Sequence, residues 1–200
     1  MLTGPPGFLD KAMGLELLRF KRSLREAKVI RYGDYDYFVN PVTDGVLSVE
    51  PTLLEEVIGG FAGASAYRCD LIVAPEAMGI PLAVPLSLRL RLPYIILRKR
   101  SYGLPGELRI KHNTGYSDVE LFINGVGKGD RVVVVDDVLS TGGTLRSIVR
   151  GLRSIGAEVV DVVVAVDKGD KRKELERELG LSIKALVKVE VREGRVVVLS

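Results

Sequence analysis

The chain has 200 residues, 46% hydrophobic and 28% charged, with a formal net charge of +3. Such a length and composition suit one folded domain with its own core and exclude a disordered chain, and so mild a charge gives no argument for nucleic acid as a partner. One cysteine, Cys69, excludes an intramolecular disulfide and fits a reducing compartment.

The opening MLTGPPGFLD lacks the basic-then-apolar order of a signal peptide, so a cytoplasmic protein is expected. Residues 9–27 have helical spacing, with Leu9, Met13, Leu17, Phe20 and Leu24 on one stripe. VIRYGDYDYFV, residues 29–39, reads as a hairpin about its central Gly-Asp. Residues 51–66 look helical, and DLIVAP, residues 70–75, is a short apolar strand stopped by proline. Helical spacing resumes over 79–90, with Pro85 expected to distort it. The most apolar stretch, 71–88, carries Glu76 and three prolines, against a membrane span.

PYIILRKR, residues 93–100, is a second apolar strand with a basic end. Residues 101–118 are rich in Gly, Ser and Tyr and read as a long loop, a length usually tied to function or mobility. A third apolar strand covers 131–135, a helix 144–154, a fourth strand 158–166 and a charged helix 171–179. The end, IKALVKVEVREGRVVVLS, reads as two strands about Glu193-Gly194. Apolar strands alternating with helices indicate an α/β fold, a parallel sheet flanked by helices on both faces. Helix plus hairpin at the front and a strand pair at the back suggest one domain over 1–200, its core at about 49–180 and a small lobe from about 1–48 and 181–200. The absence of glutamine, with only three asparagines, leans towards a thermophile.

Ligands of open α/β sheets bind beyond the carboxyl ends of the strands. VVVVDDVLSTGGT, residues 132–144, puts Asp136 and Asp137 there, followed by a turn into a helix. Gly142 and Gly143 permit unusual backbone angles and close approach, while Ser140, Thr141, Thr144 and the helix N-terminus offer donors to an anion. The lysine of a Walker A loop is absent. Carboxylates repel phosphate but accept from sugar hydroxyls and ligate Mg²⁺. The ligand therefore carries a phosphate at one end and a diol or metal nearby, as a ribose 5-phosphate does.

This stretch resembles the signature of the type I phosphoribosyltransferases, which bind phosphoribosyl pyrophosphate (PRPP). The resemblance implies that Asp136 and Asp137 contact the ribose hydroxyls and that Val138, Leu139, Ser140, Thr141, Gly142, Gly143 and Thr144 hold the 5-phosphate. Glu76, Ala77, Met78 and Gly79 are similar to the pyrophosphate loop of purine members, although adenine-type members often have arginine where Met78 stands. Arg98, Lys99 and Arg100, followed by Gly103-Leu104-Pro105-Gly106-Glu107, resemble the segment that leads into the catalytic loop. Three cations there suit a pyrophosphate leaving group, and Lys99 joins Asp136 and Asp137 in the implied catalytic set.

The front and tail segments look like the archaeal hypoxanthine/guanine phosphoribosyltransferase group, itself close to adenine phosphoribosyltransferases. The implied reaction joins a purine base to PRPP, with Mg²⁺ held mainly by PRPP and in part by Asp136 and Asp137. Its products are a nucleoside 5′-monophosphate and pyrophosphate. A homodimer is implied, with neither nucleic acid nor membrane as partner. Ser140 stands where mammalian-like 6-oxopurine enzymes have a catalytic aspartate, and Gly115 where adenine enzymes have a glutamate, leaving Asp137, Glu107 or solvent to take a proton. Lys168, at a strand end, suits a purine O6, and Asp167 beside it suits an adenine amino group; the lean is to a 6-oxopurine, and adenine stays open. Tyr116 is the candidate base-binding aromatic of the 101–118 segment. The rival reading is a PRPP- or nucleotide-sensing regulator on the same fold.

Overall fold

The computed structural model of the chain describes residues 16–33, 35–114 and 117–200, and gives the backbone alone for those between 111 and 119. Six strands form the central sheet in the order β10-β9-β8-β7-β3-β4. They are β3 (Leu71–Pro75), β4 (Tyr94–Leu97), β7 (Arg131–Leu139), β8 (Glu158–Lys168), β9 (Ile183–Arg192) and β10 (Arg195–Val198). All neighbours are parallel except β10, which turns back antiparallel on β9. The tail strands thus extend the sheet at one edge.

Alternation along the buried strands builds two cores. Val133 and Val135 of β7, with Val163 and Ala165 of β8, join Phe61, Leu82 and Leu86 on one side. There they meet α2 (Pro51–Ala64) and α3 (Ile80–Leu90). Val132, Val134, Val162 and Val164 face the other way, towards Ile148, Leu152 and Leu175. Those residues belong to α4 (Gly143–Ser154) and α5 (Arg172–Leu179). A strand buried on both faces must be apolar at every position, which is why 132–135 are four valines. Pro81 lies in the first turn of α3, where no N–H is needed, and the helix also contains Pro85.

At the front, α1 (Leu18–Arg25) packs on β10 and α2 through Phe20 and Leu24, both fully buried. The expected helix over 9–27 falls partly outside the described residues. Strands β1 (Val29–Tyr32) and β2 (Tyr35–Phe38) pair antiparallel as a separate hairpin. No helix among the described residues is long and apolar enough to cross a membrane.

Two expectations change. The stretch 101–118 is not one long loop: β5 (Leu108–Thr114) and β6 (Ser117–Ile123) form an antiparallel ladder. It is rooted by Ile110, Leu121 and Ile123 in the second core. The third strand also runs past Val135 to Leu139, so both aspartates lie within β7.

Candidate functional site

Beyond the carboxyl ends of β3 and β7 lies a cavity of about 290 Å³. Every residue from Asp136 to Leu145 lines it, together with Pro75, Glu76, Ala77, Met78, Lys99 and Val164. Four separate stretches of sequence therefore meet at one opening: the end of β7 and its turn, the β3–α3 turn, the residue two past β4, and Val164 of β8.

The turn after β7 is shaped by Gly142, which caps α4 with φ +78°. A Cβ there would stand 2.9 Å from Leu175 Cδ2, so both conformation and packing call for glycine. The turn then points the N-terminus of α4 into the cavity, an anion site by dipole and free N–H groups. At the β3–α3 turn a Cβ on Gly79 would meet the Pro75 carbonyl at 2.8 Å, so glycine alone lets the chain fold back so closely. The Glu76–Ala77 peptide is cis.

Asp136 and Asp137 differ in surroundings. The Asp137 carboxylate is buried and accepts from Thr43 Oγ1 at 3.1 Å, from Asn40 Nδ2 at 3.5 Å and from the Val138 amide at 2.7 Å. The Asp136 carboxylate accepts from the Asp137 amide at 2.9 Å. Burial, then the neighbouring Asp137 charge, pushes the Asp136 carboxyl well above the usual carboxylate range. Burial also raises Asp137, against the lowering effect of Thr43 and the Val138 amide. Among the described residues no group of three or more His, Cys, Asp or Glu is placed to hold a metal.

Of the three cations after β4, Lys99 alone lines the cavity. Arg98 pairs with Glu76 at 3.2 Å and bridges to Phe122 through its backbone. Arg100 is exposed, bonding the Tyr102 hydroxyl at 3.2 Å with its guanidinium 5.0 Å from that ring's centroid. Glu107 lies outside the cavity lining and accepts from the Ser101 hydroxyl, the Tyr102 amide and Asn124. The Ser101 hydroxyl first, then Asn124 and the Tyr102 amide, hold its pKa down at about 2.

Asp167 and Lys168 do not line the cavity either. Asp167, 3% exposed, turns to Arg172 at 3.1 Å. Lys168 reaches the front hairpin, donating to the Asp36 carbonyl with its ammonium 3.8 Å from the Tyr35 ring centroid. Tyr116 lies outside the described residues. Sequence reasoning missed Asn40 and Thr43, which touch Asp137, and Tyr35, whose hydroxyl donates to Ser140 Oγ at 3.3 Å. Asn40 and Thr43 sit in a polar NPVTDG stretch that looks like an ordinary turn. Their burial, at 2% and 5% exposed, is the sign of a task, and only the fold reveals it.

A model of the phosphoribosyl transferase domain matches residues 53–191. The hypoxanthine/guanine phosphoribosyltransferase of Methanothermobacter thermautotrophicus is 50% identical over 178 residues, 89% of this chain and 92% of that protein. The protein of the same name from Methanocaldococcus jannaschii is 45% identical over 185 residues, 90% and 98% of the two chains. Among solved structures, adenine phosphoribosyltransferase from Thermoanaerobacter pseudethanolicus superposes with a TM-score of 0.71 at 28% identity. It covers 86% of this chain and 99% of its own. The Saccharomyces cerevisiae adenine enzyme, complexed with adenine and an imino-altritol bisphosphate, gives 0.67 at 18% identity over 84% and 99% of the chains, a likeness of fold.

Proposed function

The chain belongs to the phosphoribosyltransferase family, and we propose that it moves the 5-phosphoribosyl group of PRPP to N9 of a purine, with hypoxanthine or guanine preferred. It is an enzyme of the purine phosphoribosyltransferase kind, as its archaeal relatives are named. The observation that carries the reading is the single cavity into which the aspartate pair, the glycine turn, the 76–78 segment and Lys99 all open. Such a cavity suits a ligand with a phosphate, a diol and a second anionic group.

In this reading the 5-phosphate sits on the backbone of 140–144 at the head of α4, held by amides and by the hydroxyls of Ser140, Thr141 and Thr144. Asp136 and Asp137 accept from the ribose hydroxyls. The pyrophosphate lies along 76–79, with Lys99 supplying positive charge as its bond to ribose C1 lengthens. Arg98, paired with Glu76, fixes that segment rather than meeting the anion. The carboxylate oxygens of Asp136 and Asp137 are of the kind that ligate Mg²⁺, which in this reading the substrate's phosphates chiefly hold. When bound, the ion offsets pyrophosphate charge. As a proton acceptor Glu107 is unsuited, because its pKa near 2 makes it a feeble base. Asp137 or solvent is left for that step.

Base choice rests on Lys168. Its ammonium has the chemistry to donate to a purine O6, although it would first have to leave the Asp36 carbonyl. Asp167, which would suit adenine, is engaged by Arg172. In competition between hypoxanthine and adenine, the 6-oxo nucleotide should form first, and Lys168→Met should reduce that preference about tenfold, the scale of one charged hydrogen bond. Preference for adenine, or an unchanged ratio in the variant, would overturn this choice. A homodimer is proposed from the family resemblance. Sedimentation should then give twice the 21.8 kDa chain mass, and a single-chain mass would count against it.

A further inference from the structure

We infer that Thr43, assisted by Asn40, is a positioning residue for Asp137, so that the front lobe sets the aim of a PRPP-binding carboxylate. The inference rests on the PRPP reading above and adds residues outside the motif to it.

The geometry is a buried relay. Thr43 Oγ1 and Asn40 Nδ2 both address Oδ2 of Asp137, at 3.1 and 3.5 Å, while the Val138 amide takes Oδ1 at 2.7 Å. A carboxylate has about four acceptor sites, so these three donors leave about one, on Oδ1, for a ligand hydroxyl. Asn40 is oriented by its own Oδ1, which accepts from the Val42 amide at 3.0 Å. The turn carrying both residues is tied by Asp44, whose carboxylate accepts from the Asn40 amide at 2.6 Å and the Tyr37 hydroxyl at 2.5 Å. Thr43 and Asn40 are themselves buried, and nothing in turn formation requires either side chain to reach 94 or 97 residues along the chain. Without Thr43 a buried carboxylate oxygen would lose its shortest side-chain donor and the fixed direction that goes with it.

The test is a double-mutant cycle on PRPP affinity, with Thr43→Val and Asp137→Asn read by calorimetry in the presence of Mg²⁺. Thr43→Val keeps the shape and removes the donor. It should weaken PRPP binding about tenfold or more, Thr43→Ser should restore most of it, and the valine change should have little further effect on Asp137→Asn. A structural role alone would lower thermal stability in both backgrounds equally and leave PRPP affinity, measured well below the transition, where it was. If Thr43→Val does not fold, Thr43→Ala, which leaves room for a water, takes its place in the cycle. Wild-type affinity in the variant, or equal losses in both backgrounds, would overturn the inference. Failure of the unaltered protein to bind PRPP would instead overturn the reading on which it rests.

Discussion

Single residues at this site are constrained for different reasons, and the reasons can be separated. Gly142 is needed for its backbone and for the room it leaves beside Leu175. A left-handed alanine costs about 1–2 kcal/mol, and the contact with Leu175 adds to that. Gly142→Ala should therefore lower the unfolding free energy obtained from urea titration by at least that amount, with a matching fall in the midpoint, and raise KM for PRPP, since the amides of the turn would shift. An unchanged midpoint would remove the conformational argument. Asp136 and Asp137 are constrained by their place, at the end of an apolar strand and on the cavity wall, and that place was legible early from two carboxylates standing between four valines and a glycine turn. Their unequal settings were not legible. Adjacent and identical in sequence, they differ because Thr43 and Asn40 come from nearly a hundred residues away, and no local pattern reports such a contact.

At the scale of elements, helices and parallel strands were readable because burial on both faces leaves apolar runs with helical segments between them. The β5–β6 hairpin was not, because Gly, Ser and Tyr in its neighbourhood suggested a loop. Yet Leu108 and Ile110, then Val119, Leu121 and Ile123, alternate along the chain as strand residues do. The hairpin is seated on α4: a Cβ at Gly151 would stand 2.7 Å from Ile110. Ahead of it, Glu107 gathers Ser101, Tyr102 and Asn124. Its pKa lies at about 2, below the ordinary 4.5, so the clasp's contribution is fully present above about 4.5 and is lost as pH falls towards 2. Hydrogen exchange at the Tyr102 amide should accelerate across that window relative to the sheet amides. In Glu107→Gln the pH dependence should disappear, and its persistence would assign the effect to another group.

For the whole molecule, the central sheet, the covered faces and the position of the ligand cavity all follow from one sequence of alternating strands and helices. The tail shows where such reasoning stops. The tail strands β9 and β10 extend the central sheet at one edge, where β10 meets α1 of the front segment. Edge strands and lobe strands have the same alternation, so their partners are decided by tertiary packing. The comparisons fix the family, while the chemistry at ribose C1 is a matter of turnover. The most direct measurement mixes the protein with PRPP, Mg²⁺ and hypoxanthine, guanine, adenine or xanthine in turn and follows pyrophosphate and nucleotide together. Hypoxanthine and guanine should give equal amounts of both products, and Asp136→Asn with Asp137→Asn should cut the rate strongly. Tight PRPP binding without turnover of any base would contradict the enzyme reading and leave a PRPP-binding regulator in its place.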